Sequence, residues 1–554
     1  DYALSFSNYF QKRADTPTGA AYDFQTGKDI GRYYVADNVG VSDNNTTNYK
    51  TQLNGRLQYE TTIAQNHNIG AMFVYSEEYW HTRSTGASRN DRIHPSTSEI
   101  NAALTNVQSN SGSSASEGLR SYIGRMNYSA YDKYLLEFSF RVDGSSKFIK
   151  GHQYGFFPTV AVGWRFTEEE FLKKYLSSWL SSGKLRASWG KLGDNSGVDR
   201  FEQLETLTAM NYMSSDVVKG FVNKKMINKD LSWEVSTDIN VGLDLGFLNN
   251  RLRTEIDFYN RLRTGMNRPS QMSIHLTGAY SAPRANIGDL LNRGLELNLT
   301  WKDKIGNVEY SVNLNGAYNR TVLKEWNEFL SRGWVYLDMP YHFLYVYENN
   351  GIAQTWQDIY NNTPQGLSPG DVIRKDLNGD GIIDGKDKKA YPNIQRDRPT
   401  TTYGITLQAA WKGFDISMLF NGGLGRKDFW LTDFNNTAFA DRRYASTWDH
   451  WTEPWSLENR GGEWPRLGTS TDRSDNSYWL YNMNYLRMKN IMLGYNLPKK
   501  LLSKISMTNL RIYASAENLF TVTQYPGLDP EKKNSARDLY PINRSFSIGL
   551  NVSF

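Results

Sequence analysis

Four aspartates and an asparagine crowd one twelve-residue stretch, Asp376-Leu-Asn378-Gly-Asp380-Gly-Ile382-Ile-Asp384-Gly-Lys-Asp387. Oxygen donors fall at positions 1, 3, 5, 9 and 12, a glycine for the sharp turn at 6, and the Ile382 carbonyl at 7. That is the donor spacing of an EF-hand calcium loop. Four carboxylates so close repel one another unless something partners them. The spacing therefore predicts one bound Ca²⁺, with Asp376, Asn378, Asp380, Ile382, Asp384 and Asp387 as ligands, in an insertion over residues 371–392. Position 12 is Asp387 rather than the longer Glu, the flanks are not amphipathic helices and there is one copy, so a calcium sensor is not indicated. The competing reading is a solvated acidic turn that holds no metal.

Tryptophan is the second residue type with chemical promise. Trp326, Trp334, Trp356, Trp430, Trp448, Trp451, Trp455, Trp464 and Trp479 all fall in stretches without strand or helix periodicity. Indole faces in a wet cavity suit sugars and peptides, which present apolar faces and hydrogen-bonding edges. Trp430, Trp448, Trp451, Trp455 and Trp464 are the candidate substrate contacts, set against ordinary loop packing or an aromatic girdle. Enzyme chemistry has no support. The seven histidines include no His-x-x-x-His pair, and there is no Gly-x-Ser-x-Gly elbow, phosphate loop or dinucleotide fingerprint. No cysteine occurs, which removes disulfides, thiol nucleophiles and thiolate metal sites and suits an envelope protein.

The elements that must position these residues are strands. Phe546, Ile548, Leu550, Val552 and Phe554 share one face of the closing stretch, and Ser547, Gly549, Asn551 and Ser553 share the other. A period of two marks a strand with one apolar and one wet face, and about nine residues cross a bilayer when tilted. The pattern recurs at Tyr134–Arg141, Val160–Phe166, Ile239–Phe247, Leu295–Trp301, Tyr310–Leu314, Tyr403–Trp411, Phe414–Phe420, Ile491–Leu497 and Leu510–Ala516. About fifteen such segments exceed any single sandwich and fit a large all-β antiparallel barrel. Connections are unequal. Trp411-Lys-Gly-Phe414 and Phe247-Leu-Asn-Asn-Arg251 read as tight turns, whereas 76–118, 191–232, 260–290, 324–400 and 421–480 read as long loops. Short turns at one end and long loops at the other belong to an outer-membrane barrel. Thr167–Leu180 is expected to form a short helix, capped by Thr167 with Glu168, Glu169 and Glu170 in its first turn.

Composition agrees. The 554 residues are 14% aromatic and 22% charged, with a mean hydropathy of −0.61. No apolar run approaches the roughly 20 residues a spanning helix needs. A net charge of +5 with scattered basic residues gives no nucleic-acid footprint. The opening Asp1-Tyr-Ala-Leu-Ser-Phe-Ser reads as the middle of a β pattern, so the chain is expected to be part of something longer.

Several stretches, in order, resemble the SusC/RagA-type TonB-dependent outer-membrane transporters of Bacteroidetes. They include Arg141-Val-Asp-Gly-Ser-Ser-Lys-Phe148, Gly155-Phe-Phe-Pro158, Gly163-Trp-Arg-Phe-Thr-Glu-Glu169 and Lys184-Leu-Arg-Ala-Ser-Trp-Gly190. Val241-Gly-Leu-Asp244, Asn286-Ile-Gly-Asp289, Asn292-Arg-Gly-Leu-Glu296 and the 376–387 loop follow. Trp464-Pro-Arg-Leu467, Tyr485-Leu-Arg-Met-Lys-Asn490, Gly494-Tyr-Asn-Leu-Pro498, Ala516-Glu-Asn-Leu-Phe520 and Gly527-Leu-Asp-Pro-Glu531 complete the series. The resemblance implies the later strands of a 22-stranded barrel, with short periplasmic turns and long extracellular loops over residues 1–554. It implies import of oligosaccharides or peptides, energy from the TonB–ExbB–ExbD system and a SusD-like surface lipoprotein as lid. Its N-terminal plug and first barrel strands have no counterpart in 1–554, so a plug segment, in the same polypeptide or as a separate chain, is an expected partner beside outer-membrane lipid. By the same resemblance Phe554 is the end read by the barrel-assembly machinery. Two alternatives stay open: a passive porin, and a secreted, calcium-stapled glycan-binding β protein in which Leu295, Leu297, Leu299 and Trp301 would pack on a second sheet.

Overall fold

The computed structural model describes residues 1–14, 19–22, 29–33, 40–90, 97–104, 108–176, 178–213, 217–223, 225–277, 282–328, 336–341, 343–429, 453–466, 475–502, 507–532 and 542–553. One sixteen-stranded sheet dominates. Its strands are β1 (Tyr2–Ala14), β2 (Val41–Ile63), β3 (His67–Arg89), β4 (Gln108–Ala130), β5 (Tyr134–Ser145), β6 (Tyr154–Trp164), β7 (Leu180–Asp194) and β8 (Glu234–Phe247). They continue as β9 (Leu252–Thr264), β10 (Asp289–Ile305), β11 (Val308–Glu325), β12 (Thr401–Trp411), β13 (Phe414–Leu424), β14 (Tyr485–Asn496), β15 (Asn509–Thr523) and β16 (Ser545–Ser553). Each strand pairs antiparallel with the next, as in an up-and-down barrel wall.

One edge of this meander is turned tightly. The links at Ala64-Gln65, Tyr131-Asp132, Leu248-Asn249-Asn250 and Lys412-Gly413 all place residues at positive φ, the left-handed geometry that matches hairpin twist. Both turns expected from the sequence are among them. The opposite edge carries the long connections and is therefore the extracellular side.

Register shows which face is which. Val241, Phe258, Leu295 and Tyr318 lie side by side across β8–β11, and each remains 45–48% exposed. No second sheet among the described residues covers them, so they meet lipid and the sandwich alternative falls. The neighbouring row Asn240, Tyr259, Gly294 and Asn319 faces the lumen. Near the tight turns the outward face is aromatic. Trp301 donates its indole N–H to the Tyr310 hydroxyl at 3.1 Å, and the Phe414 and Tyr495 rings lie 4.5 Å apart. Amphipathic rings of this kind settle at the membrane–water boundary.

Two expectations are corrected. Residues 76–118 are not one long loop: β3 runs to Arg89 and β4 begins at Gln108. The segments beyond the bilayer are wet on both faces, so Ser, Thr, Asn and Gly replace alternation and the strand signal vanishes. The helix at 167–180 shrinks to Glu170–Leu176, preceded by a separate 3₁₀ turn at Phe166–Glu168. Thr167 is not its cap. Its buried hydroxyl accepts from the Gly183 amide and donates to the Gly183 carbonyl, pinning the turn to β7, and Leu180 already belongs to that strand.

Candidate functional site at the extracellular mouth

The wall is lined inside by charge that is answered by charge. Arg186 on β7 reaches Asp244 on β8 at 2.7 Å and Asp257 on β9 at 3.0 Å. Arg261 pairs with Asp238, Arg125 with Glu137 and Arg511 with Asp415. Asn313 donates to Asn298 and Thr300, and Asn319 to Asn292 and Tyr259. The result is a polar lumen laced with cross-strand ion pairs, which suits a hydrated or hydrogen-bonding occupant.

Above it, the long loops pack into a cap with a core of its own. Leu344, Val346, Phe429, Trp479, Met483 and Tyr525 come from four separate segments and form one buried cluster. Short strand pairs hold it, Phe343–Tyr347 with Lys388–Gln395 and Lys427–Phe429 with Leu480–Asn482. A second cluster, Phe148, Phe157, Val198, Leu231 and Trp233, sits over the earlier strands.

Two buried arginines fasten the cap to the wall. Arg426 is 2% exposed and donates to the carbonyls of Arg396, Pro530, Glu531 and Lys532 at 2.9–3.1 Å. Arg487 on β14 pairs with Asp529 at 2.9 Å and Glu531 at 2.6 Å and donates to the Thr521 hydroxyl. Glu531 also accepts from Tyr485 and Asn421. Burial pushes the Glu531 carboxyl up, but these donors outweigh it and hold it below the usual carboxylate range. Residues 525–532 are thereby drawn over the inner face of β13–β15. Arg487 and Glu531 fall within the family-like stretches 485–490 and 527–531, but nothing in those stretches marks them as partners. The only local signal is an arginine on a lumen-facing position with carboxylates some forty residues away.

The acidic loop lies in this cap, between the strands Val372–Arg374 and Lys388–Gln395. Gly379 and Gly381 take positive φ, as the turn requires. Asp376 accepts from the amides of Gly379 and Gly381 and from the Thr363 hydroxyl. Burial raises its carboxyl, and these bonds more than reverse that, leaving it below the ordinary aspartate range. Asp380 accepts from Ile382, Asn378 from Asp380, and Asp384 from Lys386. Asp387 is fully buried and takes the amides of Leu377, Asn378 and Asp384. The six predicted ligand positions are thus gathered in one turn, with the carboxylates answered by backbone N–H groups. Among the described residues, no three His, Cys, Asp or Glu side chains converge as a metal would require.

Of the five candidate tryptophans, Trp430, Trp448 and Trp451 lie outside the described residues. Trp455 is 7% exposed, its indole N–H donating to Gln354 at 2.9 Å and its ring pressed on Gly370. Trp464 packs against the first cluster, and its carbonyl accepts from the Trp455 amide. These two serve loop packing in this structure. Asp371 holds the same layer through a forked pair with Arg466 at 2.8 and 3.1 Å.

Comparison with known proteins settles the family. The model described as "TonB dependent receptor-like, beta-barrel" matches residues 1–369. The chain belongs to that family. It is 30% identical to the TonB-dependent receptor SusC of Bacteroides thetaiotaomicron over 79% of this chain and 44% of that protein. It is 28% identical to TonB-dependent receptor P3 of Formosa agariphila over all of this chain and 59% of that one. The fold superposes on the RagAB peptide transporter with a TM-score of 0.82 at 21% identity, covering all of this chain and 59% of that one. The chain therefore spans about half the length of the curated relatives it matches, and is a SusC/RagA-type outer-membrane β-barrel protein.

Proposed function

We propose that this chain forms the wall and mouth of an active importer of nutrient oligomers, oligosaccharides or peptides, energised through TonB–ExbB–ExbD. The observation that carries the reading is the pairing of a polar lumen laced with ion pairs and an ordered extracellular cap. A passive pore has no need of loops built on two buried cores. The named relatives include the receptor SusC and a peptide transporter. The cap offers a broad surface for a SusD-like lipoprotein lid, and a lumen this wide calls for a plug segment, from the same polypeptide or a companion chain. Uptake of fluorescent maltooligosaccharides and oligopeptides by cells carrying the full-length protein tests this. Uptake lost on deleting TonB supports active import. Uptake that survives it returns the passive pore, and a purified complex lacking any plug polypeptide removes the plug.

We assign substrate contacts to Trp430, Trp448 and Trp451 foremost, because Trp455 and Trp464 are engaged in packing. Alanine at those three positions should weaken ligand retention without altering the barrel. We also propose that residues 371–392 take up Ca²⁺ through Asp376, Asn378, Asp380, the Ile382 carbonyl, Asp384 and Asp387. Donor spacing and the two positive-φ glycines support it. Binding would supply a fixed positive charge and restrain the loop. EDTA should then open 371–392 to protease while the wall stays folded, and unchanged cleavage would remove the metal.

A further inference from the structure

On the outward face of the wall, two arginines stand directly opposite each other. Arg293 on β10 pairs in register with Arg320 on β11, and like charges so placed destabilise a sheet. Arg293 donates to Asn260 on the next strand at 2.8 Å. The Nε of Arg320 is shielded from solvent and has no hydrogen-bond partner. Neither guanidinium meets a carboxylate among the described residues. The contrast with the lumen is sharp in kind. One residue further round, Arg261 faces inward and pairs with Asp238, and Arg186 holds two aspartates. The outward pair is left with repulsion and no internal counter-ion.

Its height in the wall identifies what supplies one. Below Arg293 the outward positions of β10 are Leu295, Leu297, Leu299 and Trp301, and below Arg320 those of β11 are Tyr318, Gly316, Leu314 and Val312. The arginines stand where the exposed part of this apolar row ends: the next outward residues above them, Leu291 and Val322, are apolar too, but Leu291 is buried. Thirteen residues separate each from the Gly306-Asn307 turn. At ~3.3 Å per residue and a tilt of ~45°, that is about 30 Å, the thickness of the hydrocarbon core. They lie at the boundary of the outer leaflet, over exposed apolar side chains able to hold acyl chains.

We propose that Arg293 and Arg320, with Asn260, bind the phosphate of an outer-leaflet glycolipid headgroup. Two planar guanidinia grip a phosphate through paired charge-assisted hydrogen bonds, and the bound anion turns their repulsion into a clamp. The site is separate from the lumen and does not depend on the cargo.

Native mass spectrometry of the detergent-extracted, full-length protein tests the assignment with three probes: bisphosphorylated lipid A, its dephosphorylated counterpart and inorganic phosphate. The wild type should retain the phosphorylated lipid and not the dephosphorylated one. In R293Q/R320Q retention should fall about thirty-fold, each cation near a membrane surface contributing a factor of about five, and R293K/R320K should recover most of it. The glutamine variant loses a like-charge pair, so its thermal midpoint should hold or rise. Equal retention by wild type and R293Q/R320Q, equal binding of the dephosphorylated lipid, or capture of inorganic phosphate without lipid would each overturn it. Should the glutamine variant fail to fold, the two lipid probes on the wild type still decide.

Discussion

The wall and the cap use the same residue types in opposite ways. In β10, Leu295 and Leu297 remain 48% and 38% exposed, and nothing among the described residues covers them. In the cap, Leu344 and Trp479 are 3% and 1% exposed and define a conventional core. The wall is stable because its solvent on that side is lipid and each strand from β2 to β15 is hydrogen-bonded to a neighbour on both sides. The cap lies in water and must exclude it for itself. Charge differs likewise: arginines lower in the lumen are paired across strands and partly exposed, whereas Arg426 in the cap and Arg487 where β14 meets it are buried outright. An exposed leucine in such a protein is informative only once its height and face are known.

This contrast can be broken at four points. The largest effect is expected at Arg487. R487A removes a buried partner and strands Asp529 and Glu531, a loss of about 3–5 kcal/mol. Hydrogen exchange over 525–532 should rise steeply while the wall keeps its protection, and uniform exchange through β14 and β15 would show that cap and wall are not separable. Next is the lipid face. L297R puts a charge near mid-bilayer and should cost about 2–4 kcal/mol in vesicle unfolding, whereas E296R, one residue away on the wet face, should cost far less. Equal costs would contradict the facing assigned from register.

A smaller effect is expected where the cap is tightest. At Gly370, which takes positive φ, a Cβ would stand 2.4 Å from the Trp455 ring. G370A should cost about 1–3 kcal/mol of cap stability, seen as faster proteolysis of 453–466 with an unchanged wall. The smallest effect is pH. The depressed Glu531 pKa means its contribution is fully present above the unfolded-state value of about 4.3 and is lost as pH falls through the lower folded value. Protection of 525–532 should therefore fade in acid below about pH 4, before the wall responds. Fading on the alkaline side instead would reverse the sign.

Much of the wall was legible in advance. Tyr134–Arg141, Ile239–Phe247, Leu295–Trp301 and Phe546–Ser553 alternate because one face meets lipid and the other water, and each is a sheet strand. Both tight turns were equally plain. The strand stretches that escaped notice, β3 from Ser76 onward and β4 up to Gly118, rise above the bilayer, where no difference between faces exists to leave a pattern. Thr167 misled for a different reason. A threonine before three glutamates suits a helix cap, and only contact with Gly183 across the sheet reassigns its hydroxyl.

Of the mouth, the sequence by itself determined the donor spacing of 376–387 and the presence of many loop tryptophans. That Trp455 is buried, that Arg487 meets Asp529 and Glu531, and that Arg293 stands beside Arg320 were decided by tertiary structure alone. Alternation is a local property, set by which solvent each successive side chain meets, and it can be read along the chain. Pairing is not local. The partners of Arg487 lie 42 and 44 residues away, and the Arg293–Arg320 contact depends on the register of two strands across a turn, so only the folded sheet brings them together.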